Sequence, residues 1–120
     1  MSKVLLVEDN PSQRELIDSY LRESGHTVIC LTDARNALNK VMEQKPDVIV
    51  TDVVMPGMSG FELCRQLKNH PATAKIPIVI CSSKNQEIDR LWGMKQGAAA
   101  YLTKPFSREE LIRAVKIAVL

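Results

Sequence analysis

Several polar side chains able to do chemistry follow short apolar runs in this 120-residue chain. Glu8 and Asp9 follow "KVLLV", Asp52 follows "DVIVT", Ser82 and Ser83 follow "IPIVIC", and Lys104 follows "AAAYLT". Such runs read as buried strands, so each polar group stands at the lip of a core. Three carboxylates gathered there would repel: at about 5 Å and an effective dielectric of about 20, each pair costs about 3 kcal/mol. A hard divalent cation relieves that cost, and Mg²⁺ characteristically takes one or two carboxylates, waters and phosphate oxygens. An aspartate can also attack phosphorus and form an acyl phosphate. Mg²⁺ and a lysine would neutralise the charge on the transferring group. The residues after Asp52, "VVMPGMSG", combine a Pro with two Gly and read as a loop held in one shape beside a reachable carboxylate.

The segments between the runs must place those groups together. Leu16, Ile17, Tyr20 and Leu21 share one helical face, as do Ala37, Leu38, Val41 and Met42, and then Leu111, Ile112, Val115 and Val119. Helix starts are marked by Asn10 with Pro11 and Gln13, Ser59 with Glu62, Ser83 with Gln86, and Ser107 with Glu110. Gly25 and Gly97 sit where helices should stop. The alternation implies an α/β chain, (βα)5, a three-layer sandwich with a parallel sheet and helices on both faces. In open sheets of this kind the site lies outside the carboxyl ends of the strands, where strand order reverses. With the order 2-1-3-4-5, Glu8, Asp9 and Asp52 surround one crevice, and Ser82 and Lys104 form its other wall.

Composition narrows the function classes. Residues 1–120 read as one domain, with ordinary hydrophobic (45%) and charged (25%) fractions for a globular fold. A net charge of +2 from singly scattered basic residues does not argue for nucleic acid or an anionic membrane. No apolar stretch is long enough to span a bilayer. Cys30, Cys64 and Cys81 form no metal pattern and read as reduced, mostly buried thiols of a cytoplasmic protein. His26 and His70 lack a catalytic partner in the sequence and read as solvated.

The motifs "LLVEDN", "DVVMPGMSGFEL", "PIVICSS" and "YLTKPF", in that order, resemble receiver domains of two-component response regulators, the CheY-like family with a flavodoxin-like fold. Each motif alone is weak; together they are highly specific and span essentially the whole chain. The resemblance implies that Asp52 accepts a phosphoryl group from the phosphohistidine of a sensor kinase or phosphotransfer protein. It implies a Mg²⁺ site made by Asp9, Asp52 and the Val54 backbone carbonyl, with Glu8 helping through water. Lys104 would pair with the phosphate, preceding a cis bond to Pro105. Ser82 would be the switch hydroxyl and Tyr101 the switch aromatic, turning inward when phosphate draws Ser82 toward it. The output would be protein binding at the face made by the fourth helix, fifth strand and fifth helix, which carries Trp92. The stretch "RLWGMKQGA" is similar to single-domain receivers of pilus-based motility systems.

Two positions depart from the chemotaxis member of that family. Val54 stands where it has Asn, and Lys84 where it has an acidic residue, so phosphate lifetime does not carry over. With no output segment after Leu120, a monomeric module acting on a downstream target protein is expected. It is not an enzyme beyond its own phosphorylation and dephosphorylation. A receiver cut from a longer DNA-binding regulator is the alternative. A Mg²⁺-dependent phosphohydrolase is a further one, weakened because such enzymes want an acid where Val54 stands.

Overall fold

A computed structural model describes residues 2–120. Elements alternate without exception: β1 (Lys3–Val7), α1 (Pro11–Glu23), β2 (Thr27–Leu31), α2 (Ala37–Gln44), β3 (Val48–Thr51), α3 (Gly60–Lys68), β4 (Ile78–Ser82), α4 (Glu87–Lys95), β5 (Ala100–Thr103) and α5 (Arg108–Ala118). The strands form one parallel sheet ordered β2-β1-β3-β4-β5, as the sequence predicts. Strand side chains alternate between faces. Leu5, Val7, Ile49, Ile78 and Ile80 meet α2 and α3 on one side. Val4, Leu6, Val48, Val50, Val79 and Cys81 meet α1 and α5 on the other. Both faces are therefore dry, which explains the continuous apolar runs of the inner strands.

Most helix starts lie where the sequence places them. Asn10 Oδ1 accepts the Gln13 N–H at 3.0 Å, and Ser107 and Glu110 form a reciprocal box. Ser59 Oγ accepts the Glu62 N–H at 3.2 Å. Ser83 does not cap a helix. The fourth helix begins at Glu87, with the Asp89 carboxylate accepting the Gln86 N–H at 3.2 Å. The reason is tertiary: the Lys84 N–H donates to Ser82 Oγ at 3.2 Å, and the Lys84 carbonyl accepts the Tyr101 hydroxyl at 2.8 Å. Residues just after β4 are thus tied to the strand ends instead of turning into a helix.

The histidines also differ from expectation. His26 and His70 are half-buried, and each Nδ1 accepts a backbone N–H, from Ser2 and Ala72 respectively. All three cysteines are free; Cys64 and Cys81 are buried, while Cys30 is exposed on the edge strand β2. Burial pushes the Cys64 thiol up to about 11 and the Cys81 thiol up to about 12, which makes both inert near neutral pH.

Candidate functional site

The central strands β1 and β3 are neighbours in the sheet, with Val7 level with Thr51. Their carboxyl ends therefore deliver Glu8, Asp9 and Asp52 to one place. Each of these acids offers an oxygen within 4.8 Å of the others. The crevice around them has a volume of about 560 Å³, lined also by Val54, Ser83, Lys104 and Phe106.

The acids are held differently. Glu8 is only 1% exposed. Its Oε1 accepts the Lys104 ammonium at 2.7 Å, and its Oε2 accepts the Asn10 N–H at 3.2 Å. The second donor of the expected Asn10–Gln13 capping box is thus spent on the site. Asp52 Oδ1 accepts the Val53 N–H at 2.6 Å, and Oδ2 lies 3.3 Å from the Lys104 ammonium. The Asp9 carboxylate accepts no hydrogen bond among the described residues and faces the crevice. Lys104 reaches the site from β5, where its N–H donates to the Ser82 carbonyl at 2.7 Å. The Lys104–Pro105 bond is cis.

These contacts set the electrostatics. Burial raises the Glu8 carboxyl above its ordinary range, the Asp52 charge adds to that, and Lys104 opposes it. Burial pulls the Lys104 amine down, but the hydrogen bond to Glu8 and the charges of Asp52 and Glu8 together hold it above its ordinary value. A single ammonium thus serves two carboxylates and leaves the third unpaired. This donor set fits a hard divalent cation: several carboxylate oxygens close together, one of them unengaged, in a crevice open to water.

The loop after Asp52 owes its composition to close approach. A Cβ at Gly60 would lie 1.9 Å from the Asp52 carbonyl oxygen, so only glycine lets the start of α3 sit on this backbone. The Gly60 N–H donates to the Val53 carbonyl there at 2.9 Å. Gly57 has φ +84°, a conformation that side chains other than glycine's resist. Held this way, the loop keeps Asp52 at the crevice while Val54 is 60% exposed at its mouth.

Ser82 and Tyr101 lie behind the crevice. Ser82 is fully buried, and Ser83 lines the crevice instead. Tyr101 is packed inward at 8% exposure, its hydroxyl on the Lys84 carbonyl. A Cβ at Gly93 of α4 would come within 2.9 Å of the Tyr101 ring. Trp92, the neighbour of Gly93, is 44% exposed. Leu16, read from the sequence as part of the apolar face of the first helix, is instead 41% exposed on the crevice rim, and residues the sequence did not single out are Phe106, also on the rim, and Arg14, whose guanidinium folds back onto the loop after β1. The signal for Arg14 and Phe106 was only proximity along the chain to Asp9 and Lys104.

The sheet is doubly wound, with an acid cluster and a lysine at its switch point, and the chain belongs to the response regulator receiver domain family, which it matches over residues 4–116. It is 37% identical over 115 residues to Protein PilH of Pseudomonas aeruginosa, covering 96% of this chain and 95% of that one. A chemotaxis response regulator of Vibrio cholerae superposes with a TM-score of 0.90 at 33% identity, over 100% of this chain and 99% of that one. The receiver domain of a sensor histidine kinase of Pseudomonas aeruginosa, whose structure has a magnesium ion coordinated in its active-site cleft, does so with a TM-score of 0.90 at 30% identity, covering 98% and 97%.

Proposed function

We propose that this receiver is a phosphorylation-controlled interaction module in which Asp52 takes a phosphoryl group from the phosphohistidine of a sensor kinase or phosphotransfer protein. The observation that carries this reading is the Lys104 ammonium set between Glu8 and Asp52 at 2.7 and 3.3 Å, beside an unengaged Asp9. In the step itself, an Asp52 carboxylate oxygen forms a bond to phosphorus. The phosphorus–nitrogen bond breaks and its electron pair stays on the donor imidazole. The Val53 N–H on Oδ1 and Lys104 near Oδ2 orient the nucleophile. Lys104 then shifts its charge to the phosphoryl oxygens. Glu8, Asp9, Asp52 and the Val54 carbonyl would hold Mg²⁺, which, when bound, offsets the carboxylate charge and that of the incoming phosphoryl group.

Ser82 and Tyr101 make the link to output. Phosphate draws the Ser82 hydroxyl toward the crevice, and the inward seat of Tyr101 seen here becomes the favoured one. The face made by α4, β5 and α5 is then offered to a downstream target protein. The likeness to Protein PilH and to a chemotaxis regulator supports a place in motility or chemotaxis signalling. No described helix is long and apolar enough to cross a membrane, and we place the protein in the cytoplasm. The module performs no chemistry beyond gaining and losing its own phosphoryl group. Incubation with Mg²⁺ and a small acyl-phosphate donor should add one phosphoryl group to the intact mass of the wild type and none to Asp52→Asn. Equal labelling of the variant would contradict the assignment.

A further inference from the structure

We infer that Arg14 is a positioning residue for the cation site, fixing the Asp9 carboxylate by clamping the backbone carbonyls on either side of the Asp9 Cα. This role rests on the proposed cation site. Arg14 lies in the first turn of α1, and its own N–H donates to the Asn10 carbonyl at 2.9 Å. Its side chain then runs back past the start of the helix. One guanidinium nitrogen donates to the Glu8 carbonyl at 2.9 Å and to the Asp9 carbonyl at 3.4 Å.

Three features make this more than helix capping. Among the described residues the guanidinium makes no ion pair, although Glu8, Asp9 and Asp52 gather their carboxylates beyond the loop whose backbone it contacts. Its charge is directed at neutral carbonyls, and the acid oxygens stay available to a ligand. Glu8 already has its own anchors, in Lys104 and the Asn10 N–H. Asp9 has no side-chain anchor among the described residues, so the direction of its carboxylate depends on its backbone. That backbone is held at two successive carbonyls by one nitrogen of a preorganised guanidinium, and a lysine ammonium, more strongly hydrated and on a flexible stem, would hold it less firmly.

The test measures Mn²⁺, a hard divalent stand-in that favours the same oxygen ligands, binding to the full chain by the paramagnetic resonance of the free ion. The variants are Arg14→Met and Arg14→Lys, and thermal midpoints are recorded without metal. Loss of an orienting outer partner typically weakens metal binding by about 10- to 100-fold, and Arg14→Met should raise Kd by about tenfold. The sign discriminates, because removing a positive charge beside three carboxylates would by itself tighten cation binding. Arg14→Lys keeps the charge and should fall between the two. A lowered midpoint with an unchanged or tighter Kd would mean a structural role only and overturn the inference. If Arg14→Met does not fold, Arg14→Lys decides alone: weaker binding supports the clamp and wild-type binding refutes it. A wild type that binds no Mn²⁺ would overturn the cation site itself, and the clamp with it.

Discussion

The crevice and the start of α4 both follow the carboxyl ends of strands, yet they are built in opposite ways. In the crevice most polar groups but Asp9 are held: Glu8 by two donors, Asp52 by two, and the loop backbone by a close approach that admits only glycine at position 60. In α4 the only buried residue is Gly93, while Ile88, Leu91, Trp92 and Met94 are all more than 40% exposed. An interior glycine also costs a helix about 1 kcal/mol relative to alanine. One region is rigid because it must present charges at fixed positions. The other touches the core through a side chain of one hydrogen, against the ring of Tyr101, and can shift at small cost. The difference suits a device that receives a charged group at one place and changes shape at another.

Substitutions should expose this contrast in stability. Lys104→Met leaves Glu8 buried without its cation, and breaking such a pair costs about 3 kcal/mol, read as a lower denaturant midpoint. A loss under about 1 kcal/mol would mean that the crevice is less tightly held than its geometry implies.

Ligand binding gives the next largest effect. Mg²⁺ at one hundred times its Kd should stabilise the wild type by about 2.7 kcal/mol, and Asp9→Asn should lose most of that gain. The gain should also depend on pH. The folded-state value of Glu8 is raised, so its protonated form persists above the unfolded value of 4.5. Its contribution is fully present below that value and is lost as pH rises through the folded value. A cation needs the ionised form, and its stabilisation should therefore grow as pH rises through the same window. A thermal midpoint indifferent to Mg²⁺ at pH 7 would count against the site.

How much of this was legible in the sequence follows the same division. The strand–helix alternation and the polar strand ends could be read because they rest on local patterns, apolar runs of strand length each ending in a polar group, while the strand order came from the known behaviour of open α/β sheets. The start of α4 could not. Ser83 and Gln86 make a valid local cap, but Ser82 and Tyr101, the latter 17 residues from Lys84, tie down the Lys84 backbone that the cap would have turned into helix. The indispensability of Gly60 and the seat of Gly93 depend on what approaches them in space, which no spacing along the chain reveals. Arg14 was hidden for a related reason: on a helical wheel it is one more polar residue, and its contacts run back over the helix start.

The smallest effects belong to α4. Leu91→Ser should change stability by no more than about 0.5 kcal/mol, since the side chain is 56% exposed. Gly93→Ala sets a gain in helix propensity of about 1 kcal/mol against crowding of the Tyr101 ring that costs about 1–3 kcal/mol. The net loss should be modest, while the emission of Trp92, the lone tryptophan, shifts. A large loss from Leu91→Ser would show that α4 is seated more firmly than its burial indicates.

The central claim is that a charge delivered to Asp52 reseats α4 through Ser82 and Tyr101. The most direct measurement is the amide spectrum of residues 83–104, with Trp92 emission, before and after adding Mg²⁺ and beryllofluoride as a phosphoryl mimic. The account predicts that both change in the wild type, and that the changes are blunted in Ser82→Ala, which still binds Mg²⁺. A wild type that holds the mimic at Asp52 while those amides and the Trp92 emission stay as they were would contradict it.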